Sequence, residues 1–236
     1  MFIIFKKSSL AITLLLVLSI AFVSFYRSTS VFNVKKDLCI VIDPGHGGPD
    51  SGAVSDSNIL EKDLNLKIAL LLRDVYQNND IKVVMTRETD ISLHDDGTSE
   101  NNRRKMSDLS NRKRIMDNCN ADAFVSIHMN KFTIPKYKGA QVFYDAKNEK
   151  SRDMAISVQK SLKDNLQDNN IREAAKVNSN ILIMKNTKIP AIIVECGFLS
   201  NPEECELLTQ EEYQKKLSNA IAEGTLRYLE TNTNSK

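Results

Sequence analysis

Four residues of this 236-residue sequence have side chains that could bind a metal ion and move protons: His46, Glu61, His128 and Glu195. Histidine and carboxylate side chains are common zinc ligands, and catalytic zinc sites use three protein ligands with a fourth position left open. His46, Glu61 and His128 would supply two imidazoles and one carboxylate. Glu195 would then remain available as a general base and acid.

Each of these residues also has a structural interpretation that the sequence leaves open. His46 lies in the glycine-rich stretch IVIDPGHGGPDSGA, where it is as readily a loop histidine as a ligand. His128 ends the run FVSIH and could be a hydrogen-bonded core histidine, while Glu61 could be a first-turn acid favoured by the helix dipole. Glu195 is harder to explain structurally, because an acid directly after Ile-Ile-Val is costly to bury unpaired.

Other chemistries fit the sequence less well. The glycine-rich loop lacks a dinucleotide fingerprint, because Asp50 stands at the last required glycine, and it lacks the P-loop lysine, because Ala53 and Val54 follow its final glycine. Neither a GxSxG elbow nor an HExxH helix is present. Cys196 is disfavoured as a nucleophile, because strand alternation turns its side chain away from that of the preceding glutamate. His94 lies in a polar HDDG sequence and is expected to be exposed.

These candidates must be positioned by elements that the apolar pattern predicts. Short continuous apolar runs predict strands, and longer stretches with apolar residues every three to four positions predict helices. The predicted strands are 38–42, 81–85, 123–127, 140–144, 181–184 (a weak edge strand) and 191–194. The predicted helices are 60–76, 109–118, 149–166 and the region from 202 to 229. Apolar strands alternating with helices indicate one α/β domain with a mostly parallel sheet covered on both sides.

The predicted topology explains how residues far apart in sequence would meet. In open α/β sheets, ligands bind beyond the carboxyl ends of the strands. His46 follows the first strand, His128 ends the third and Glu195 ends the last, while Glu61 begins the first long helix. We therefore expect the four side chains to converge on one rim of the sheet.

The first thirty residues differ from the rest of the chain. Lys6 and Lys7 precede an uncharged apolar run from Leu10 to Phe25, a pattern typical of an export signal or a membrane anchor. An uncleaved anchor with a cytoplasmic N-terminus is favoured, so the protein is expected to be exported, either membrane-anchored or secreted. The predicted organisation is a membrane segment at 1–30, a linker at 31–37, a catalytic domain at 38–230 and a tail at 231–236.

Overall charge argues against a nucleic-acid partner. Residues 1–30 hold three basic and no acidic residues, so the remaining chain has 29 Lys and Arg against 30 Asp and Glu. A nearly neutral domain has no general attraction for a phosphate backbone. The basic cluster formed by 103–105 and 112–114 is surrounded by acidic residues and is interpreted as a solvated helix face.

The chain resembles the zinc-dependent N-acetylmuramoyl-L-alanine amidases of the Amidase_3 family in four motifs that occur in order: VIDPGHGGPDSGA, EKDLNL, SIHMN and PAIIVECGFLSNPEE. The resemblance covers about residues 38–229. It implies that His46, Glu61 and His128 bind Zn²⁺, that Glu195 is the catalytic glutamate, and that a twisted, six-stranded, mostly parallel sheet is flanked by helices. The implied partner is peptidoglycan, whose glycan strands carry stem peptides.

Within that family the chain is most similar to the sporulation members, in its single short anchor, its lack of cell-wall-binding repeats and its segment RRKMSDLSNRKRI. Those members strip stem peptides as muramic-δ-lactam is made in the spore cortex, which implies a location on the outer side of a forespore membrane in a spore-forming bacterium. The sequence departs from the family at HMNKF, which replaces a small-residue HANA-type sequence.

Two other functions stay open at this point. One is a zinc-site peptidoglycan-binding protein that has little activity until an accessory protein assists zinc loading or catalysis. The other is a zinc peptidase that cuts within the stem peptide.

Overall fold

The computed structural model describes residues 37–98, 101–166, 169–177 and 181–233. Six strands lie within these ranges: β1 Cys39–Pro44, β2 Lys82–Met85, β3 Ala123–Asn130, β4 Gln141–Tyr144, β5 Ala175–Lys176 and β6 Ala191–Phe198. The α-helices found there are α1 Glu61–Gln77, α2 Asn101–Asn118, α3 Glu149–Leu166, α4 Pro202–Thr209 and α5 Glu211–Thr233. The predicted membrane segment lies outside the described residues, as do most of the predicted linker and the end of the tail. In the described part of the chain, no helix is both long and apolar enough to cross a membrane.

The strands form one six-stranded sheet in the order β2-β1-β3-β6-β4-β5. β1, β2, β3 and β6 run parallel to one another, whereas β4 is antiparallel to β6 and parallel to β5. Every residue of β1 is buried, as expected for a central parallel strand whose two faces are both covered by helices. The predicted α/β fold with a mostly parallel sheet is confirmed.

Helices pack on both faces of this sheet. α5 packs against both α1 and α3, and α1 and α3 contact the strands on one face. On the other face, Val41, Phe124 and Ile193 form a core cluster with Met116 of α2 and with Ile183. Because side chains alternate along a strand, each central strand contributes to both layers. The carboxyl ends of β1, β3 and β6 lie at the same side of this three-layer domain, because Pro44 pairs with Ile127 and His128 pairs with Glu195 in the parallel register.

The strand predicted at 181–184 is wrong. Leu182–Met184 forms a 3₁₀ turn, and the sixth strand is instead the two-residue β5. Ile183 and Met184 are buried in the core cluster, so this apolar run reflects side-chain packing rather than backbone pairing in the sheet. Two residues are too few to produce an alternating pattern, which explains why β5 leaves no signal in the sequence.

Helix α2 is longer than predicted. It begins at Asn101 rather than at Leu109, and its buried residues are Arg112 and Met116. A helix with so small a buried face lacks the regular apolar spacing from which its start could be located.

Candidate functional site

The structure brings the three predicted ligand side chains together at the carboxyl ends of β1 and β3. His46 Nε2 lies 3.2 Å from Glu61 Oε1, and His128 Nδ1 lies 2.9 Å from the same oxygen. The ligand atoms of all three residues fall within 4.8 Å of one another, a spacing that one metal ion can bridge. His94 does not belong to this group; it is half-buried rather than exposed, with its Nδ1 2.8 Å from Ser92 Oγ.

His46 reaches the site because the loop after β1 turns sharply. The φ angle of His46 is +61°, in the left-handed region that most side chains avoid, and the φ angles of Gly47 and Gly48 are also positive. Gly45 lies against the His128 ring, since a Cβ atom at Gly45 would stand 2.2 Å from Cε1 of that ring. The glycines of this loop thus allow both the turn and the close approach of the second histidine.

Glu61 is the buried centre of the group. Both of its carboxylate oxygens accept main-chain hydrogen bonds, Oε2 from Ala53 N–H at 2.7 Å and Oε1 from Met129 N–H at 3.1 Å. Burial by itself would raise the pKa of Glu61, but hydrogen bonds and charge from His128 and His46 outweigh burial and hold this pKa well below its usual value. Glu61 therefore carries its negative charge at neutral pH.

Asp50 orients the ring of His46. Nδ1 of His46 lies 2.9 Å from Asp50 Oδ2, which leaves Nε2 directed at Glu61. Burial would lower the pKa of His46, but hydrogen bonds and charge from Asp50 and Glu61 raise this pKa to about 9. The hydrogen bond with His46 lowers the pKa of Asp50 to about 2. The negatively charged carboxylates of Glu61 and Asp50 thus lie beside the imidazoles, and their charge favours binding of a cation.

Glu195 lies beside His128, its partner in the register between β3 and β6. Its Oε2 atom is buried and has no hydrogen-bond partner in the part of the chain that the structure describes. Burial raises the pKa of Glu195 to about 7, with the charge of His128 acting to lower it and that of Glu61 to raise it further. A buried carboxyl oxygen without a partner, next to a polar cluster, is available to exchange a proton with a bound reactant.

Arg112 was interpreted from the sequence as part of a solvated helix face, and the structure contradicts this. Arg112 is 1 % exposed, and its guanidinium pairs with Asp43 at 2.7 Å and with Asp108 at 2.5 Å. It also donates to the main-chain carbonyl oxygens of Pro44 at 2.8 Å and His46 at 2.6 Å. Arg112 therefore holds the loop that carries His46.

Asp43 and Arg87 complete this support. Burial would raise the pKa of Asp43, but the charge of Arg112 and several hydrogen bonds outweigh burial and lower it. Arg87 donates to the carbonyl oxygen of Gly45 at 3.0 Å. Asp43 was the available sequence signal for this network, because an acid that directly follows an apolar strand needs a buried partner. The sequence does not indicate which cation fills that role.

Comparison with known proteins identifies the family. The model of the Amidase_3 family, described as N-acetylmuramoyl-L-alanine amidase, matches residues 40–227, a range that includes His46, Glu61, His128 and Glu195. The chain belongs to this amidase family. The amidase is therefore an enzyme that acts on peptidoglycan, where it hydrolyses the amide bond between N-acetylmuramic acid and L-alanine.

Individual relatives agree with the family match. The amidase is 41% identical over 189 residues to the germination-specific N-acetylmuramoyl-L-alanine amidase of Bacillus subtilis, over 80% of this chain and 78% of that protein. It is 28% identical over 239 residues to the amidase AmiA of Escherichia coli, over 84% and 78% of the two chains. The structure of the CwlD amidase from Clostridioides difficile in complex with the GerS lipoprotein has 41% identity and a TM-score of 0.80, over 83% of this chain and 100% of that one. The resemblance inferred from the sequence motifs is confirmed.

Proposed function

We propose that this amidase is a zinc enzyme in which His46, Glu61 and His128 hold the ion and Glu195 transfers the proton. The observation that carries the proposal is the convergence of two imidazoles and one carboxylate within 4.8 Å, beside a buried carboxyl oxygen that lacks a partner. A zinc ion held there would supply Lewis-acid chemistry, lowering the pKa of water towards about 7 and stabilising negative charge on a carbonyl oxygen.

The residues present fit such an ion. Two histidines and one glutamate are a donor set that catalytic zinc sites use, and three protein ligands leave a fourth position open. The wall beside the ligands has no room for a side chain, since a Cβ atom at Gly52 would stand 2.5 Å from Glu61 Oε2 and 2.6 Å from His46 Cδ2. Asp50 beside His46 matches the carboxylate–histidine pairing that fixes the tautomer of metal-binding imidazoles.

Glu195 acts first as a base and then as an acid in this scheme. Its carboxylate takes a proton from the water that attacks the lactyl carbonyl carbon. Its carboxylic acid then returns the proton to the L-alanine nitrogen as the carbon–nitrogen bond breaks. The Oε2 atom supports this role, because no donor among the described residues competes with the reacting water for it.

Two substitutions separate ion binding from proton transfer. Glu195→Gln keeps the size of the side chain but cannot accept the proton, so it should retain zinc while kcat falls by about 10² to 10⁴-fold. His46→Ala should lose both zinc and activity. Mass spectrometry measures zinc content, and release of stem peptides from peptidoglycan measures activity. Wild-type rates from a zinc-free Glu195→Gln sample would refute the scheme.

Product analysis in the same assay identifies the bond that is cut. An amidase releases stem peptides that begin with a free L-alanine amino group. A zinc peptidase would leave L-alanine attached to the glycan strand, and that product would contradict the proposed reaction.

A role in spore cortex maturation is proposed for this activity. The support is that the similar Bacillus subtilis amidase is described as germination-specific. The enzyme would act on the outer side of a forespore membrane, to which residues 1–30 would direct it. A strain that lacks the gene should then make spores whose cortex contains no muramic-δ-lactam, as measured by muropeptide analysis. A normal lactam content would argue against this role.

A second candidate is an amidase that depends on an accessory protein for zinc loading or activity. The observation favouring it is that the similar CwlD amidase was solved in complex with a lipoprotein. The purified protein should then hold little zinc and release few peptides until a cognate lipoprotein is added. Full zinc content and peptide release by the protein alone would exclude this dependence.

A further inference from the structure

Residues 131–139, which connect β3 to β4, expose several large apolar side chains, and we name this segment the ledge. Phe132 is 47 % exposed, Ile134 is 48 % exposed and Tyr137 is 37 % exposed. Single exposed apolar residues are ordinary, but a group of them in one segment marks a binding surface. The catalytic scheme uses none of these residues, so the exposure of the ledge requires another explanation.

The backbone of the ledge is fixed by side chains from neighbouring elements. The hydrogen bonds run from Phe132 N to Ser200 Oγ (3.1 Å), from Asn201 Nδ2 to Pro135 O (2.8 Å), from Arg172 Nε to Lys138 O (2.8 Å) and from Gly139 N to Glu204 Oε1 (2.8 Å). A segment held at both ends and in the middle loses little conformational entropy when a ligand binds to it. The apolar side chains are therefore presented on a preorganised backbone.

The exposed rings are fixed in orientation as well. Phe132 packs at 82° to Tyr137, with 5.4 Å between the ring centroids. Its ring centroid also lies 5.3 Å from that of Phe198, which is buried at the end of β6. The guanidinium of Arg172 lies 4.5 Å from the Phe198 centroid and holds that ring from another side. The two exposed rings thus form a rigid pair anchored on the core.

The ledge lies near the candidate site residues His128 and Glu195, because β3 and β6 lead into the ledge or contact it and also carry those residues. Phe132 follows His128 by four residues, and Phe198 follows Glu195 by three. A chain advances at most about 3.6 Å per residue, so Phe132 lies within roughly 14 Å of His128 and Phe198 within roughly 11 Å of Glu195. A polymer with one unit at the catalytic centre has its neighbouring units at such distances.

The chemistry of the ledge matches that of peptidoglycan. Lys136 and Lys138 are exposed in it, and Lys136 Nζ lies 5.7 Å from the Tyr137 ring centroid. Pyranose rings present C–H groups that pack against the negative face of an aromatic ring. Stem peptides carry carboxylates, which lysine side chains attract. The substrate strand therefore offers a complement to both features of the ledge.

We propose that the ledge is a glycan-binding subsite of this amidase. Phe132 and Tyr137 pack against sugar rings next to the muramic acid at the catalytic centre, and the lysines contact carboxylates of neighbouring stem peptides. The inference rests on the amidase function proposed above and deepens it, because it assigns a preference for long glycan strands to particular residues.

The double substitution Phe132→Ala with Tyr137→Ala tests this subsite. The ratio of kcat/KM for polymeric peptidoglycan to kcat/KM for a short muramoyl dipeptide should fall about tenfold, because only the polymer reaches both rings. Co-sedimentation with insoluble peptidoglycan should weaken by a similar factor. Phe132→Tyr keeps a ring at this position and should retain most of the ratio. Ile156→Ala removes a 53 % exposed apolar side chain from α3 and is the matched control, with a wild-type ratio expected.

Each outcome of this experiment has a definite meaning. An unchanged ratio in a double variant that keeps wild-type zinc content and melting temperature would overturn the subsite and leave the amidase proposal intact. If the double variant binds peptidoglycan normally but loses self-association, or binds peptidoglycan normally but loses a lipoprotein partner, the ledge is a protein contact. Either result would also overturn the glycan subsite. A wild-type enzyme that has no zinc and no activity even after a cognate lipoprotein is added would overturn the proposed function itself. If the double variant fails to fold, Lys136→Glu with Lys138→Glu tests the same ratio through exposed side chains.

Discussion

Among single residues, Gly52 shows most directly how little space surrounds the candidate ligands. Its φ angle is +65°, and a Cβ atom there would stand 2.5 Å from Glu61 Oε2 and 2.6 Å from His46 Cδ2. Gly97 has a similar φ angle of +82°, but nothing lies within 4 Å of its Cβ position. Both glycines need a left-handed backbone, but only Gly52 also needs the space that a side chain would fill. Comparing substitutions at the two positions therefore distinguishes the two requirements.

We predict that Gly52→Ala lowers zinc affinity by about tenfold or more, because the added methyl group displaces Glu61 or His46. Gly97→Ala should bind zinc as the wild type does, although both variants carry a left-handed strain of about 1–2 kcal/mol. Zinc titration of the metal-free protein measures affinity, and thermal unfolding measures the strain. Equal zinc affinities in the two variants would show that Gly52 is needed only for its backbone conformation.

Among the secondary-structure elements, α2 reaches the catalytic rim through one buried side chain. Arg112 pairs with Asp43, 69 residues away, and donates to the carbonyl oxygen of His46, 66 residues away. Because His46 has a positive φ angle, the loop that carries it depends on such external hydrogen bonds to keep its conformation. A change in α2 should therefore alter the position of the candidate ligand His46.

We predict that Arg112→Met weakens zinc binding by about 10- to 100-fold, as the loss of hydrogen bonds that orient a metal ligand typically does. The variant should also lose about 3–5 kcal/mol of stability, because the charge of Asp43 is left buried and unpaired. Combining Asp43→Asn with Arg112→Met removes that charge, so stability should partly recover while zinc affinity stays low. Calorimetric zinc titration and denaturant unfolding measure the two effects separately.

Thr86→Val is the matched control for Arg112. The Thr86 hydroxyl donates to Asp43 Oδ1 at 2.6 Å, and in the described structure it does not bond to the carbonyl oxygens of residues 44–48. This variant should lose stability and keep its zinc affinity. If Arg112→Met behaves in the same way, with stability reduced and zinc affinity unchanged, then Arg112 has a structural role only.

For the molecule as a whole, the packing of α5 against α3 lies outside the candidate site and contributes to stability. Gly224 of α5 faces α3, where an added Cβ atom would stand 2.5 Å from Val158 Cα and 3.0 Å from the carbonyl oxygen of Ser157. These are backbone atoms, so the contact can be relieved only by separating the two helices. The Ser157 hydroxyl also donates to Gly224 O at 2.7 Å, which holds the helices at this close distance.

We predict that Gly224→Ala lowers the melting temperature, because overpacking that costs about 1–3 kcal/mol outweighs a gain in helix propensity of about 1 kcal/mol. Each kcal/mol lost corresponds to about 2–4 °C in a domain of this size. Zinc affinity should not change, because neither helix carries a candidate ligand. Ser157→Ala removes the hydrogen bond without adding volume and should have a smaller effect. A higher melting temperature for Gly224→Ala would mean that the helices separate at no cost.

The amino-acid sequence was sufficient for the fold class and for the choice of candidate site residues. Apolar runs mark β1, β3 and β6 as strands buried on both faces, a property that each segment shows by itself. Parallel strands end at one edge, so His46, His128 and Glu195 could be expected at a common rim without knowledge of any contact. The four family motifs support the same choice.

Other features required the packed structure, because they depend on what another segment supplies. Arg112 has the same sequence surroundings as a solvated arginine. It is buried because Asp43 and the carbonyl oxygens of the next loop, in addition to Asp108, provide its acceptors. Strand β5 is too short for a pattern of its own and exists through its pairing with β4. The conformation of the ledge also depends on distant segments, because its backbone is held by hydrogen bonds with the side chains of Arg172, Ser200 and Glu204. The spacing of apolar residues predicts which side chains of one segment are buried. The residue that pairs with a buried charge depends on which segments the tertiary fold brings together.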